Sequence, residues 1–211
     1  MYSPPAFVVD DLALLHDIIR SKVFVTIAAI IDGAVKFAYA PVVLDAQSGP
    51  RGALRFHLAA ANPLAKLGDG ARVAVNVIAA DAYVSPDWYK KTHTVPTWNY
   101  IAVEGEGAMR RTSRDALRQI VIDLSAQEEA KLLPKTPWLI GKLPEARVEG
   151  LINGITGFSL ALDRLQGKFK LSQDKTPEDI AGVITALEAR RDAASIAVAK
   201  TMRSAKPHPQ G

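Results

Sequence analysis

VFVTIAAIIDGAVKFAYAPVVL, residues 23–44, decides the architecture of this chain. Two apolar runs rich in β-branched and aromatic residues meet at Asp32-Gly33, a pair suited to the two positive φ angles of a type I′ hairpin turn. Further runs of the same character follow: GALRFHLAA, ARVAVNVI and NYIAVEGEGAM, separated by Ser-Gly-Pro, Gly-Asp-Gly or proline. All of them fall between residues 23 and 109. Parallel strands would need crossovers of a dozen or more residues, so the spacing predicts an antiparallel sheet. NPLAKL, between two of these runs, predicts a single helical turn with Asn62 as cap and Pro63 in its first position. A sheet of this many strands needs its second face covered, which predicts a barrel or a sandwich.

Helices are expected on either side. LALLHDIIRS repeats its apolar residues at helical spacing, as does SRDALRQIVIDLSAQEEAKLL behind Thr112 or Ser113 as cap. KTPWLIGKLPEARVEGLING is broken by prolines and glycines and reads as a loop with short turns. GFSLALDRL alternates as a last strand, with Phe158, Leu160 and Leu162 on one face, and GKFKLSQDK is expected just beyond it. A helix is expected from Pro177 to Arg190 and a second piece to Met202. The class is therefore mainly β with flanking helices. Its expected organisation is a barrel domain over 1–175 with an inserted helical segment at about 113–145. Two C-terminal helices over 176–204, packed on the barrel or on a partner, and a flexible tail at 205–211 complete it.

Composition removes several classes of function. The 211 residues include no cysteine, which excludes disulfides, thiol nucleophiles and Cys-ligated metals. His16, His57, His93 and His208 show neither HExxH nor close ligand spacing, so no metal site is expected. The chain lacks GxGxxG, GxxxxGK[ST] and GxSxG motifs, so Rossmann, P-loop and α/β-hydrolase chemistry has no support and no catalytic residue stands out. No apolar run approaches the roughly 18 residues of a membrane span, and MYSPPAFVVDDL lacks the basic and apolar regions of a signal peptide. A cytoplasmic protein without a membrane partner is expected. The net charge of +4 comes entirely from residue 164 onward, where nine Lys and Arg face five Asp and Glu. Such a bias serves nucleic acid or a phosphorylated ligand, or merely solubility. PEDIAGVITALEARRD and AASIAVAKTMRS lack both a short connecting turn and a polar recognition helix, so a helix-turn-helix is weakly supported.

The unusual segment is YVSPDWYKKTHTVPTWNY, residues 83–100, with five aromatics in a chain that is 7% aromatic. Pro86 and Pro96 predict a stiff, partly extended connection with a short helical turn at PDWYKK. Aromatics held this way can line a pocket for a planar ring, with Asn99 and Tyr100 adding polar contacts, or can cap the end of a barrel. Lys168, Lys170, Ser172 and Gln173 in GKFKLSQ supply two charges, a hydroxyl and an amide, an anion clamp or a solvated edge.

YVSPDWYKK, VPTWNYIAVEGEG, GKFKLSQDK and the helix containing AGVI, in this order, closely resemble the PaiB family of FMN-binding negative transcriptional regulators. The resemblance implies a split β-barrel of Greek-key type that forms a homodimer, with FMN in a groove between subunits and DNA reached directly or indirectly. Carried onto this chain, it implies cofactor contacts from His57 and Asn62 in FHLAAANP, Trp98, Asn99 and Tyr100 in VPTWNY, and Lys168, Lys170, Ser172 and Gln173 in GKFKLSQ. The chain departs from the family in having Ala60 where arginine is usual and Ala40 where histidine is common, which removes a bidentate phosphate partner. Alternatives are an FMN-dependent oxidoreductase of the flavin reductase or pyridoxamine phosphate oxidase type, and a cofactor-free interaction module.

Overall fold

The computed structural model describes residues 1–90 and 93–204; the tail expected at 205–211 lies outside the described residues. In chain order the elements are β1 (Val8–Val9), α1 (Leu12–Ser21), β2 (Phe24–Ile31), β3 (Ala34–Pro41), β4 (Val43–Asp45), β5 (Ala53–Ala59), β6 (Ala71–Val84) and β7 (Thr97–Arg111). Then come α2 (Arg114–Ala130), α3 (Glu145–Ile152), β8 (Ile155–Lys170), α4 (Pro177–Ala189) and α5 (Ala193–Ser204). Single 3₁₀ turns stand at Pro5–Phe7, Pro63–Lys66, Pro86–Trp88 and Ile140–Lys142.

The strands form one sheet in the order β3-β2-β6-β7-β8-β5-β4, with β1 paired to β8. The hairpin forms as the sequence predicts: Asp32 and Gly33 have φ of 52° and 74°, and Ile31 faces Ala34 across the turn. The chain divides into two compact units, one made of Leu12–Val77 and Gly105–Leu165, the other of Met1–Asp11, Ile78–Glu104 and the chain from Gln166 onward. Strands β6, β7 and β8 each have one end in either unit.

The core of the first unit follows the period-two pattern. Phe56 and Phe158 are fully buried and stand opposite each other in the β5–β8 register, with ring centroids 5.6 Å apart. Gly107 is required by packing: a Cβ there would come within 1.8 Å of the Ala161 carbonyl oxygen. Helix α2 lies on β5, tied by Arg55 donating to Asp123 at 2.8 Å, and is capped by Ser113 as expected. The segment read as a loop contains α3, a correction with a clear cause. Eight residues are too few to hold a helix by propensity alone. Val148 and Ile152 are instead buried against Leu117 of α2, and Arg118 holds Glu145 at 2.7 Å.

In the second unit α4 packs on the Pro86–Trp88 turn. Gly182, in the AGVI motif, lies so close that a Cβ would stand 2.4 Å from the Trp88 carbonyl oxygen. Buried Asp179 accepts the backbone N–H of Lys90 at 2.7 Å. Two further expectations need correction. GKFK is not beyond the last strand but forms its end, because β1 pairs there, with Val8 facing Lys168. A short turn does join α4 to α5, the three residues 190–192, with Arg191 at φ 60°. The exposed residues of α5 are Ala193, Ala194 and Ile196 beside Lys200, Arg203 and Ser204, with no asparagine, glutamine or arginine-rich face among them. Among the described residues no helix is long and apolar enough to cross a membrane.

Candidate functional site

The second unit gathers seven of the residues singled out in the sequence. Lys168 and Lys170, two apart on β8, project to the same side because successive strand residues alternate. Lys168 is buried; its Nζ donates to the Tyr2 carbonyl at 2.9 Å and lies 5.6 Å from the Tyr2 ring and 5.4 Å from the Tyr100 ring. The two aromatic faces offset part of the hydration the ammonium loses. Lys170 donates to Thr97 Oγ1 and to the Trp98 carbonyl, the latter at 3.0 Å. Burial pulls the pKa of Lys170 below the ordinary lysine value; Asp174 opposes the shift, and Lys168 adds repulsion in the same direction as burial.

Asn99, Ser172 and Gln173 are engaged within the protein. Asn99 is fully buried and donates to Ser172 Oγ at 3.0 Å and to Met202 Sδ at 3.5 Å. Gln173 Oε1 accepts from Leu171 N at 2.7 Å while its Nε2 donates to the Phe169 carbonyl, which fastens the exit of β8. Ser172 sits there with φ of 63°, a left-handed geometry unusual outside glycine. Trp98, by contrast, is 53% exposed, its ring edge-on to Tyr83 at 6.2 Å between centroids.

His57 and Asn62 belong to the first unit. Asn62 accepts from Leu64 N at 2.9 Å and caps the Pro63–Lys66 turn, as its sequence context predicts. His57 lies on β5 opposite Gly157; its Nδ1 is buried and has no hydrogen-bond partner among the described residues. Burial holds its pKa below 6.5. Of the two departures, Ala40 is 2% exposed within the core, whereas Ala60 is exposed and donates its N–H to the Gly154 carbonyl.

Sequence reasoning missed a cleft of about 340 Å³ beside Lys170, whose lining includes Tyr89, His93, Thr94, Thr97 and Lys175. The aromatic segment drew attention to its own tryptophans, but Lys175 lies across the chain and only folding sets it beside Tyr89.

Comparison with known proteins gives this arrangement its context. The chain is 32% identical over 190 residues to an uncharacterized protein of Emericella nidulans, covering 73% of this chain and 75% of the relative. It is 27% identical to protease synthase and sporulation protein PAI 2 of Bacillus subtilis, over 89% of each chain. Among solved structures, the FAD and heme binding protein of Mycobacterium smegmatis superposes with a TM-score of 0.57 at 20% identity, covering 82% of this chain and 78% of that one. The flavocytochrome Anf3 of Azotobacter vinelandii gives 0.54 at 16% identity, covering 83% and 75%. The eight-stranded, mainly antiparallel sheet with flanking helices has the split β-barrel fold of these structures. Within that fold class the chain belongs to the family described as "Putative FMN-binding domain", whose model matches residues 1–164.

Proposed function

We propose that this protein binds FMN and acts, as a homodimer, as a negative transcriptional regulator of the PaiB type, reaching DNA directly or through another protein. The observation that carries the cofactor is the family match over 1–164. The likeness to PAI 2 over 89% of both chains supports the regulatory role.

The residues present fit a flavin in part. His57 Nδ1 is an orphaned buried acceptor or donor, Trp98 offers an open indole face, and Lys170 has one N–H beyond the two given to Thr97 and Trp98. In this reading Trp98 and Lys170 would hold the ligand, with Tyr100 and Lys168 as a charged aromatic wall. Asn62, Asn99, Ser172 and Gln173 act one step back, since their polar atoms already serve the protein. When bound, FMN would supply redox chemistry through its ring; the chain's own residues bind and orient it.

Titration calorimetry of the apo protein against FMN tests the reading. One site per chain is expected, weakened by about tenfold or more in Trp98→Ala, a loss of roughly 1.4 kcal/mol. No heat with FMN at a protein concentration that keeps the fold intact would overturn the cofactor. Transcripts that rise when the gene is deleted would support the regulator, and an unchanged transcriptome would remove it.

A further inference from the structure

We infer that the cleft beside Lys170 is an oxyanion site, built to take a phosphate group. Its lining includes Tyr89, His93, Thr94, Thr97, Lys170 and Lys175. The cleft shares Lys170, Asn99 and Ser172 with the FMN reading and adds Tyr89, His93, Thr94 and Lys175, which that reading does not use.

Three features carry it. The first is an unmet donor. Tyr89 is 8% exposed, yet its hydroxyl is buried without a partner among the described residues. A phenol left so in a folded protein forfeits a hydrogen bond unless a ligand supplies the acceptor. The second is the balance of charge. Two ammonium groups, Lys170 and Lys175, line the cleft with a single carboxylate, Asp174, which Lys175 already holds at 2.7 Å. One positive charge is left uncompensated next to donors from Tyr89, Thr94 and His93. The third is preorganisation. Lys170 is fixed by Thr97 Oγ1 and the Trp98 carbonyl, so its remaining N–H needs no search to find an acceptor. Two non-glycine residues in left-handed conformation, His93 at φ 62° and Ser172 at φ 63°, flank it. A cleft lined by hydroxyl, imidazole and ammonium groups with one excess positive charge suits a phosphate far better than a cation or an apolar ligand. The volume of about 340 Å³ falls at the lower end of small-molecule sites, which leaves room for a small organic portion on that phosphate.

The phosphate could be free, or could be the tail of an ester such as FMN, and the same chemistry would hold either. Inorganic phosphate is therefore the probe, followed by ³¹P NMR and calorimetry on the full chain. Saturable one-to-one binding is expected, weakened at least tenfold in Lys170→Met and severalfold in Tyr89→Phe and Lys175→Met. The Lys175→Met change, at the cleft's polar rim, keeps the test open should Lys170→Met fail to fold. Absence of binding at tens of millimolar phosphate, or binding indifferent to Lys175→Met and Tyr89→Phe, overturns the site. Competition separates the sources. Phosphate that displaces FMN but not riboflavin marks the cleft as the seat of the cofactor's phosphate; phosphate that binds the FMN-loaded protein marks an independent site. Phosphate binding in a protein that takes up no flavin upholds this site while refuting the cofactor.

Discussion

His57 is the residue whose surroundings and chemistry are most at odds. A half-buried imidazole whose Nδ1 is buried and unpartnered among the described residues favours the neutral form, and burial lowers its pKa below 6.5 in the fold. The unfolded chain therefore binds a proton near pH 6.5 that the folded chain refuses, so stability falls as pH drops through 6.5 toward the folded value and is flat above it. Melting temperatures measured at pH 7.5 and 5.5 should differ less in His57→Gln than in the parent; an equal drop in both would show that His57 does not carry the effect. Ala60 offers the complementary test. It is exposed where the resemblance to the PaiB family implies arginine, so Ala60→Arg should tighten FMN binding about tenfold by returning a guanidinium to pair with an anionic ligand. Calorimetry showing no gain would remove position 60 from the ligand's surroundings. Ala40 gives no such opening, since it is sealed in the core.

At the level of elements, the pairing of α4 with the Pro86–Trp88 turn explains why two distant motifs travel together in this chain. Gly182 lets the helix meet the Trp88 carbonyl, and Asp179 accepts Lys90 N. Gly182→Ala would normally favour a helix by about 1 kcal/mol. Here the added methyl meets backbone rather than a yielding side chain, and overpacking of this kind costs about 1–3 kcal/mol. Chemical denaturation should show net destabilisation, with the aromatic segment shifted in tryptophan fluorescence; a stabilised variant would contradict the contact. Thr176, whose hydroxyl accepts Asp179 N at 3.2 Å, provides a reference: Thr176→Ala should lose about 1 kcal/mol, the ordinary worth of a cap, without the fluorescence change.

For the whole molecule, the outstanding surface is the open face of the β2–β3 hairpin. Phe24, Ile30, Val35, Phe37 and Tyr39 are all more than half exposed and, by register, share one face. Together they show on the order of 600 Å² of largely apolar surface, more than a monomer ordinarily leaves uncovered and close to one partner's share of a stable interface. That surface supports the proposed homodimer. Phe37→Glu should convert a dimer to monomer in sedimentation velocity while the hairpin itself persists; a parent that already sediments as a monomer would end the proposal. The hairpin was legible because its information is local: Asp32-Gly33 and the period-two runs set register and turn without help from the rest of the chain. So were the Asn62 and Ser113 caps, and the inward set Phe158, Leu160 and Leu162. Helix α3 was not, since Val148 and Ile152 gain their stability from Leu117, which no short window contains. The site divides in the same way. Residue types in VPTWNY and GKFKLSQ announce aromatic and cationic chemistry, but which polar groups are spent depends on partners far along the chain. Asn99 finds Ser172 73 residues away and Met202 103 residues away, while Tyr89 finds no acceptor at all among the described residues. Turn chemistry and strand period act between neighbours and can be read in order along the chain. Burial and hydrogen-bond satisfaction act between residues that meet only after folding, so the tertiary structure alone decided which side chains remain for a ligand.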